Sequence, residues 1–366
     1  MSAQAAAGQD GSHGSRTGAA EEMPRVRLTR RRLTASIVFV VSTVAFLYFV
    51  LPKLLGLGQT WNRIQHGDPW WLAAAAILEC LSFLGYVVLF RAVFVRGGTR
   101  IDMRASYEIT MAGLAATRLF ASAGAGGIAL TAWALRRSGM EPRLVACRMI
   151  AFTALVYGVF MATLVVVGLG LYLGLFPGQA PFAITVVPAI FGAVVIAIFL
   201  AVSLLPDDFD RLVARWSHGG RLGRLASHAA AAPAAASSGI RTAISLVRSR
   251  DWALLGAVAW WGFDIAVLWS CFHAFGGSPP TAVVVMSYFV GMLGNVLPLP
   301  GGIGGVDGAM IGAFSAFGIA PALAVVSVLA YRGLAFWLPT LPGAVAYLQL
   351  RRTVNRWRSE ASPSYT

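Results

Sequence analysis

Val296-Leu-Pro-Leu-Pro-Gly-Gly-Ile-Gly-Gly-Val-Asp-Gly-Ala-Met310 lies deep in the hydrophobic C-terminal half of a 366-residue chain. It holds two prolines, five glycines and one carboxylate, Asp307. A continuous helix does not pass easily through Pro298, Pro300, Gly301 and Gly302, because proline removes a backbone donor and glycine weakens the turn. Helix can resume from Val306 to Phe317. The stretch therefore reads as helix, broken backbone, helix, at or near membrane depth. Broken backbone is tolerated there only where protein buries it or where it lines a wet cavity. Short hydrophobic segments interrupted by Gly and Pro are the best sequence pointer to a transporter's substrate site. A loop at the membrane surface is the simpler alternative.

Composition supports the deep placement. The chain is 57% hydrophobic and only 12% charged, with a mean hydropathy of +0.71, which describes a polytopic membrane protein rather than a soluble domain. The net charge of +14 invites a nucleic-acid reading. The basic residues, however, are arginines apart from Lys53, and they flank hydrophobic segments, where such charges set topology. No aromatic–basic recognition module is evident, so nucleic acid is not an expected partner. Cys80, Cys147 and Cys271 form no CxxC and no Cys–His cluster, which argues against a disulfide framework or a structural metal.

Residues 1–32 read as a disordered, basic cytoplasmic tail, ending in Arg25, Arg27, Arg30, Arg31 and Arg32. An uncharged run, Leu33 to Leu51, is the first expected span. Further spans are expected at about 70–90, 149–176, 182–205, 252–275 and 320–350. Residues 206–250 form a polar cytoplasmic loop with one or two amphipathic helices, and 353–366 a cytoplasmic tail. Arginines at 91–104, 136–148 and 351–358 mark inside ends. Between the first two of these clusters only residues 105–135 are available, whereas two full crossings of a 30 Å core need about 40 residues. Two half-helices broken at Ser122–Ile128 fit better. The segment 281–318 must likewise start and finish outside. The expected fold is thus all-α, with six full spans, two Gly/Pro-broken re-entrant hairpins entering from opposite faces, and both termini inside. An eight-helix count is the alternative. Gly-Gly-Ile recurs in both breaks, at 126–128 and 301–303, in keeping with an inverted-repeat transporter plan.

Charges inside apolar segments are costly and usually face a partner or a wet cavity. Here they are Glu79, Glu108, Arg118, Asp264, Asp307 and Arg332. Asp307 is either a helix-start carboxylate favoured by the macrodipole, or a partner for a cationic headgroup or for Arg332. Arg332 is either half of a structural ion pair or a phosphate contact suited to its planar guanidinium. Arg118 could play the equivalent part on the first hairpin. Half-helix N-termini near Ile128 and Val306 would add N–H donors for an anion. The candidate substrate-binding set is therefore Arg332, Asp307, Gly301, Gly302, Gly304, Gly305, Arg118, Gly126 and Gly127. Glu79 and Asp264 are expected to be polar links between helices, Glu108 to be solvated one turn into its helix, and the tryptophans to be packing and belt residues. No catalytic residue, metal site or cofactor is expected: HExxH, GxSxG, Walker and dense Asp/His patterns are missing from the sequence.

Leu297 to Ala309 resembles the signature of the lysylphosphatidylglycerol synthase transmembrane region, a flippase-like family of bacterial and archaeal membrane proteins. Tyr331-Arg-Gly-Leu-Ala-Phe-Trp-Leu-Pro339 followed by Gly343 is similar to the family's last-helix pattern, and the glycines at 124–127 followed by Arg136-Arg137-Ser-Gly139 resemble its earlier glycine segment. The family often carries Glu where this chain has Asp307, which keeps the charge. The resemblance covers most of residues 33–352 and implies a multi-pass protein of the bacterial cell membrane. No soluble aminoacyl-transferase domain follows in these 366 residues. The expected function is accordingly translocation of a phospholipid or lipid-linked amphiphile between leaflets, with membrane phospholipids as partners, and not lipid aminoacylation. The rival readings are a membrane-embedded lipid-modifying enzyme and a non-transporting scaffold that recruits partners through 206–250.

Overall fold

The computed structural model describes residues 66–95, 100–119, 125–205, 221–296, 302 and 304–361. The expected first span at Leu33–Leu51, and the basic segment before it, lie outside these residues. All of the described regular structure is helical. In chain order the helices are α1 (Pro69–Phe94), α2 (Met103–Leu119), α3 (Ala125–Arg137), α4 (Pro142–Tyr172), α5 (Phe182–Ser203) and α6 (Arg221–Arg248). They are followed by α7 (Gly256–Ala274), α8 (Thr281–Met292), α9 (Gly305–Ala316), α10 (Pro321–Arg332) and α11 (Leu338–Ala361). A π-helical segment, Gly333–Trp337, joins α10 to α11.

Among the described residues, five helical stretches are long and apolar enough to cross a membrane: Pro69–Phe94, Pro142–Tyr172, Phe182–Ser203, Trp252–Ala274 and Pro321–Trp357. They start where the sequence supplies a start. Pro69, Pro142 and Pro321 each occupy a first-turn position, where the missing N–H costs nothing. Asp68 caps α1 by accepting from the Trp70 N–H at 2.9 Å. Along α5 the side chains of Val187, Ile190, Phe191, Val194 and Ile198 are exposed. So large an apolar face is stable only where hydrocarbon solvates it.

Helix lengths separate a second class. α8 and α9 have 12 residues each and α3 has 13, or about 18–20 Å at 1.5 Å per residue. Each is well short of the 30 Å hydrocarbon core. The two broken hairpins expected from sequence are thus helix pairs, α2–α3 and α8–α9. Their boundaries differ in detail from the sequence reading. α3 starts at Ala125, so Gly126 and Gly127 lie in its first turn rather than in a break running to Ile128. The reason is packing: a Cβ on Gly127 would sit 2.1 Å from Thr117 Oγ1 and 2.4 Å from the Gly113 carbonyl oxygen of α2. The glycine is there to let two helices touch. α9 begins at Gly305, one residue earlier than expected.

α7 packs along α1, α4 along α5 and α6, α8 against α9, and α2 against α11. The tryptophans act as packing residues. Trp261 donates to the Val156 carbonyl at 2.9 Å and lies among Phe160 and Phe289, with ring centroids 5.5 and 5.4 Å away. Several arginines close helix ends. Arg148 donates to the Phe94 carbonyl at 2.8 Å, and Arg241 to the Leu205 carbonyl at 2.9 Å. Glu108, expected to be solvated, is instead fully buried (0% exposed). Arg104 Nε reaches its Oε1 at 2.9 Å, and the Thr353 hydroxyl donates to Oε2 at 2.6 Å, which ties α2 to α11.

Candidate polar centre between the broken helices

α9 and α10 form a helical hairpin through the turn at Phe317–Ala320, so the start of α9 and the end of α10 lie at the same level. Asp307, in the first turn of α9, and Arg332, the last residue of α10, meet there. Arg332 Nε lies 2.6 Å from Asp307 Oδ1. The Asp307 side chain is 2% exposed and that of Arg332 14%. The second carboxylate oxygen accepts the Gly304 N–H at 2.8 Å, which satisfies one of the orphan donors at the start of α9. That geometry needs Gly304 in the left-handed region, and its φ is +85°. One carboxylate thus holds both the resumed helix and the arginine.

The chain just past Arg332 is irregular in its turn. Pro339 and Pro342 cannot donate, so the carbonyls four residues earlier, on Ala335 and Leu338, lose their usual partners. The π-helical turn at 333–337 sits at this place, and the Thr340 hydroxyl donates to the Phe336 carbonyl. The Phe336 ring lies under the guanidinium, its centroid 5.4 Å from Cζ.

A second polar group sits beside the pair. Asp264 on α7 accepts through Oδ2 from the hydroxyls of Tyr288 on α8 and Tyr331 on α10, the latter at 3.1 Å. Both tyrosines are fully buried. Glu79 on α1 is 2% exposed and, like Arg332, lies within Coulombic range of Tyr331. Residues from α1, α7, α8, α9 and α10 therefore converge on one polar centre inside an apolar bundle. Among the described residues its members are Asp264 with its two tyrosines, Glu79, and the Asp307–Arg332 pair.

Of the residues singled out from sequence, Asp307 and Arg332 come together, and Gly302, Gly304 and Gly305 lie at the same break. Gly301 and the Arg118 side chain fall outside the described residues. Gly126 and Gly127 are on α3, against α2. Sequence reasoning missed Tyr288 and Tyr331. The available signal was a tyrosine in an otherwise apolar helix, whose hydroxyl must find a partner once buried. Among the described residues no three His, Cys, Asp or Glu side chains are grouped to hold a metal ion.

The long apolar helices and the charges buried between them define an all-helical, multi-pass membrane protein. Residues 33–343 match the profile of the lysylphosphatidylglycerol synthase transmembrane region, and the chain belongs to that family. It is similar to a UPF0104 membrane protein of Methanothermobacter thermautotrophicus, at 24% identity over 335 residues, covering 85% of this chain and 94% of the relative. A shorter match to a UPF0104 membrane protein of Methanocaldococcus jannaschii is 35% identical over 95 residues, or 26% of this chain and 28% of that one.

Proposed function

We propose that the protein moves a phospholipid or a lipid-linked amphiphile between the leaflets of the cell membrane. The headgroup passes the polar centre while its acyl chains stay in lipid. The observation that carries this reading is the Asp307–Arg332 ion pair, held where the glycine break meets the π-helical turn. At 1.5 Å per residue, Asp307 lies about 14 Å and Arg332 about 17 Å from the far ends of their helices, close to half of a 30 Å core. That depth supports a re-entrant α8–α9 hairpin over a surface loop. A charge pair and irregular backbone at this depth fit a polar passage. Arg332 supplies the phosphate contact in exchange for Asp307, and Asp307 then holds a cationic group, or takes Arg332 back once the phosphate has left.

The test is translocation of fluorescent anionic, zwitterionic and aminoacylated phospholipids in proteoliposomes. The intact chain is compared with Arg332→Ala and Asp307→Asn. Protein-dependent movement that is lost in both variants, each still folded, is the expected result. Movement that persists unchanged in folded Arg332→Ala would exclude the pair from the pathway.

A further inference from the structure

The function proposed above leaves unused a cavity of about 410 Å³ between the first turn of α2 and the last turns of α11. It is lined by Arg100, Asp102, Arg104, Thr353, Arg356 and Trp357. Its position on α11 separates it from the polar centre: Thr353 is 21 residues beyond Arg332, or about 30 Å of helical rise. We propose that this cavity binds a phosphate group, presented either as the headgroup of an anionic lipid or as a free anion.

Three features carry the proposal. The first is charge. Three guanidiniums and one carboxylate line the cavity, and both that carboxylate and the nearby Glu108 hold partners of their own. Asp102 Oδ1 accepts the Ala105 N–H at 2.7 Å, as a cap for α2. Glu108, fully buried beneath, is held by Arg104 and Thr353. The second is orientation. The contact to Glu108 uses Arg104 Nε, which fixes the plane of the guanidinium, while the side chain as a whole stays 65% exposed. Its two terminal nitrogens then present the fork that matches a phosphate. Arg356 is tied through a terminal nitrogen, with Nη2 donating to Thr353 Oγ1 at 3.3 Å. A buried carboxylate that costs several kcal/mol to desolvate alone thus orients a cation at the cavity as well as tying α2 to α11. The third is the wall. Trp357 is 8% exposed and contributes an apolar surface at the arginine-rich end of the bundle, where tryptophan suits a lipid interface. The volume is within the range of ordinary small-ligand sites.

The test uses the full-length protein in nanodiscs of phosphatidylcholine alone or with phosphatidylglycerol, and in neutral detergent titrated with inorganic phosphate. Native mass spectrometry reads retained phosphatidylglycerol, and calorimetry reads phosphate binding. Arg100→Ala/Arg356→Ala removes two cations without orphaning Glu108. The expected result is a drop in anion binding of about tenfold for each arginine, roughly the 1.4 kcal/mol equivalent of one charged contact. Arg100→Lys/Arg356→Lys, which keeps charge but loses the fork, should fall between. Arg143→Ala, the loss of one charge at an exposed arginine outside the cavity lining, should bind as the intact chain does. Retention of phosphatidylglycerol with no response to inorganic phosphate assigns a lipid headgroup, and the converse assigns a free anion. If the double alanine variant binds both probes as the intact protein does, or if Arg143→Ala loses as much, the cavity is not a phosphate site. Because these readouts involve no translocation, they stand or fall apart from the transport reading.

Discussion

Arg332→Met deletes the guanidinium and keeps most of the side-chain volume, so it isolates the charge. At 2.6 Å and an effective dielectric constant of about 20, the attraction between Asp307 and Arg332 is about 6 kcal/mol. Most of that offsets the desolvation of two ions. With the arginine gone, the Asp307 carboxylate stays 2% exposed and keeps the Gly304 N–H. Breaking a buried pair on one side costs about 3–5 kcal/mol, and that is the destabilisation expected for Arg332→Met. Adding Asp307→Asn removes the stranded charge while leaving an oxygen to accept from Gly304. The double variant should therefore recover at least half of the loss, with a coupling energy of about 2–3 kcal/mol. The assay is reversible unfolding in mixed micelles along a denaturing-detergent titration, followed by fluorescence of the eleven tryptophans. The reasoning fails if Arg332→Met costs less than about 1 kcal/mol, or if the two substitutions simply add. The stable double variant then serves a second purpose. In proteoliposomes it separates loss of transport from loss of fold, which neither single variant can do.

Two glycines near these elements give opposite expectations for the same kind of change. Gly304→Ala forces an L side chain to φ +85° and should cost about 1–2 kcal/mol in the same titration, whereas Gly308→Ala, at a helical position with nothing within 4 Å of its Cβ, should be neutral or up to about 1 kcal/mol stabilising. Equal effects at the two positions would show that backbone geometry does not hold the start of α9. Gly127→Ala puts a methyl 2.1 Å from Thr117 Oγ1 and should destabilise by about 1–3 kcal/mol as α3 moves off α2. A disulfide-trapping experiment between cysteines placed on α2 and α3 would report the separation, and unchanged trapping rates would refute the close packing.

The features legible in the sequence are those set by local chemistry. Long apolar runs gave away the described spans, because length and apolarity alone decide whether a helix can cross, while the start of α4 at Pro142 lies seven residues before the expected 149. The break before Asp307 was legible for a related reason, since proline and glycine act on their own backbone. The role of Gly126 and Gly127 was not. A glycine that breaks a helix and a glycine that admits a neighbouring helix look alike until Gly113 and Thr117 of α2 are placed against them. Glu108 was misjudged for the same cause. Its distance from the helix start implied solvent, but its environment comes from Thr353, 245 residues away. The tyrosines on Asp264 are likewise tertiary facts. The pairing of Asp307 with Arg332 was open as one of several readings, and the α9–α10 hairpin makes the choice by bringing their ends level.

The buried charges and the irregular backbone at this site explain each other. A glycine break leaves N–H groups at the start of α9 without partners in a medium that offers none, and Asp307 answers one of them. That carboxylate cannot stay alone at such depth, and Arg332 answers it. Arg332 in turn ends α10 where the π-helical turn begins, and Pro339 and Pro342, in the first turns of α11, each withhold a donor from that stretch, where the Thr340 hydroxyl donates to the Phe336 carbonyl. Replacing the pair by apolar residues would leave the orphaned backbone groups in place. Straightening the backbone would leave the charges with no polar surroundings. An apolar helix pair would have been the cheaper way to fill this volume, and the transport reading proposed above gives the retained polarity a use.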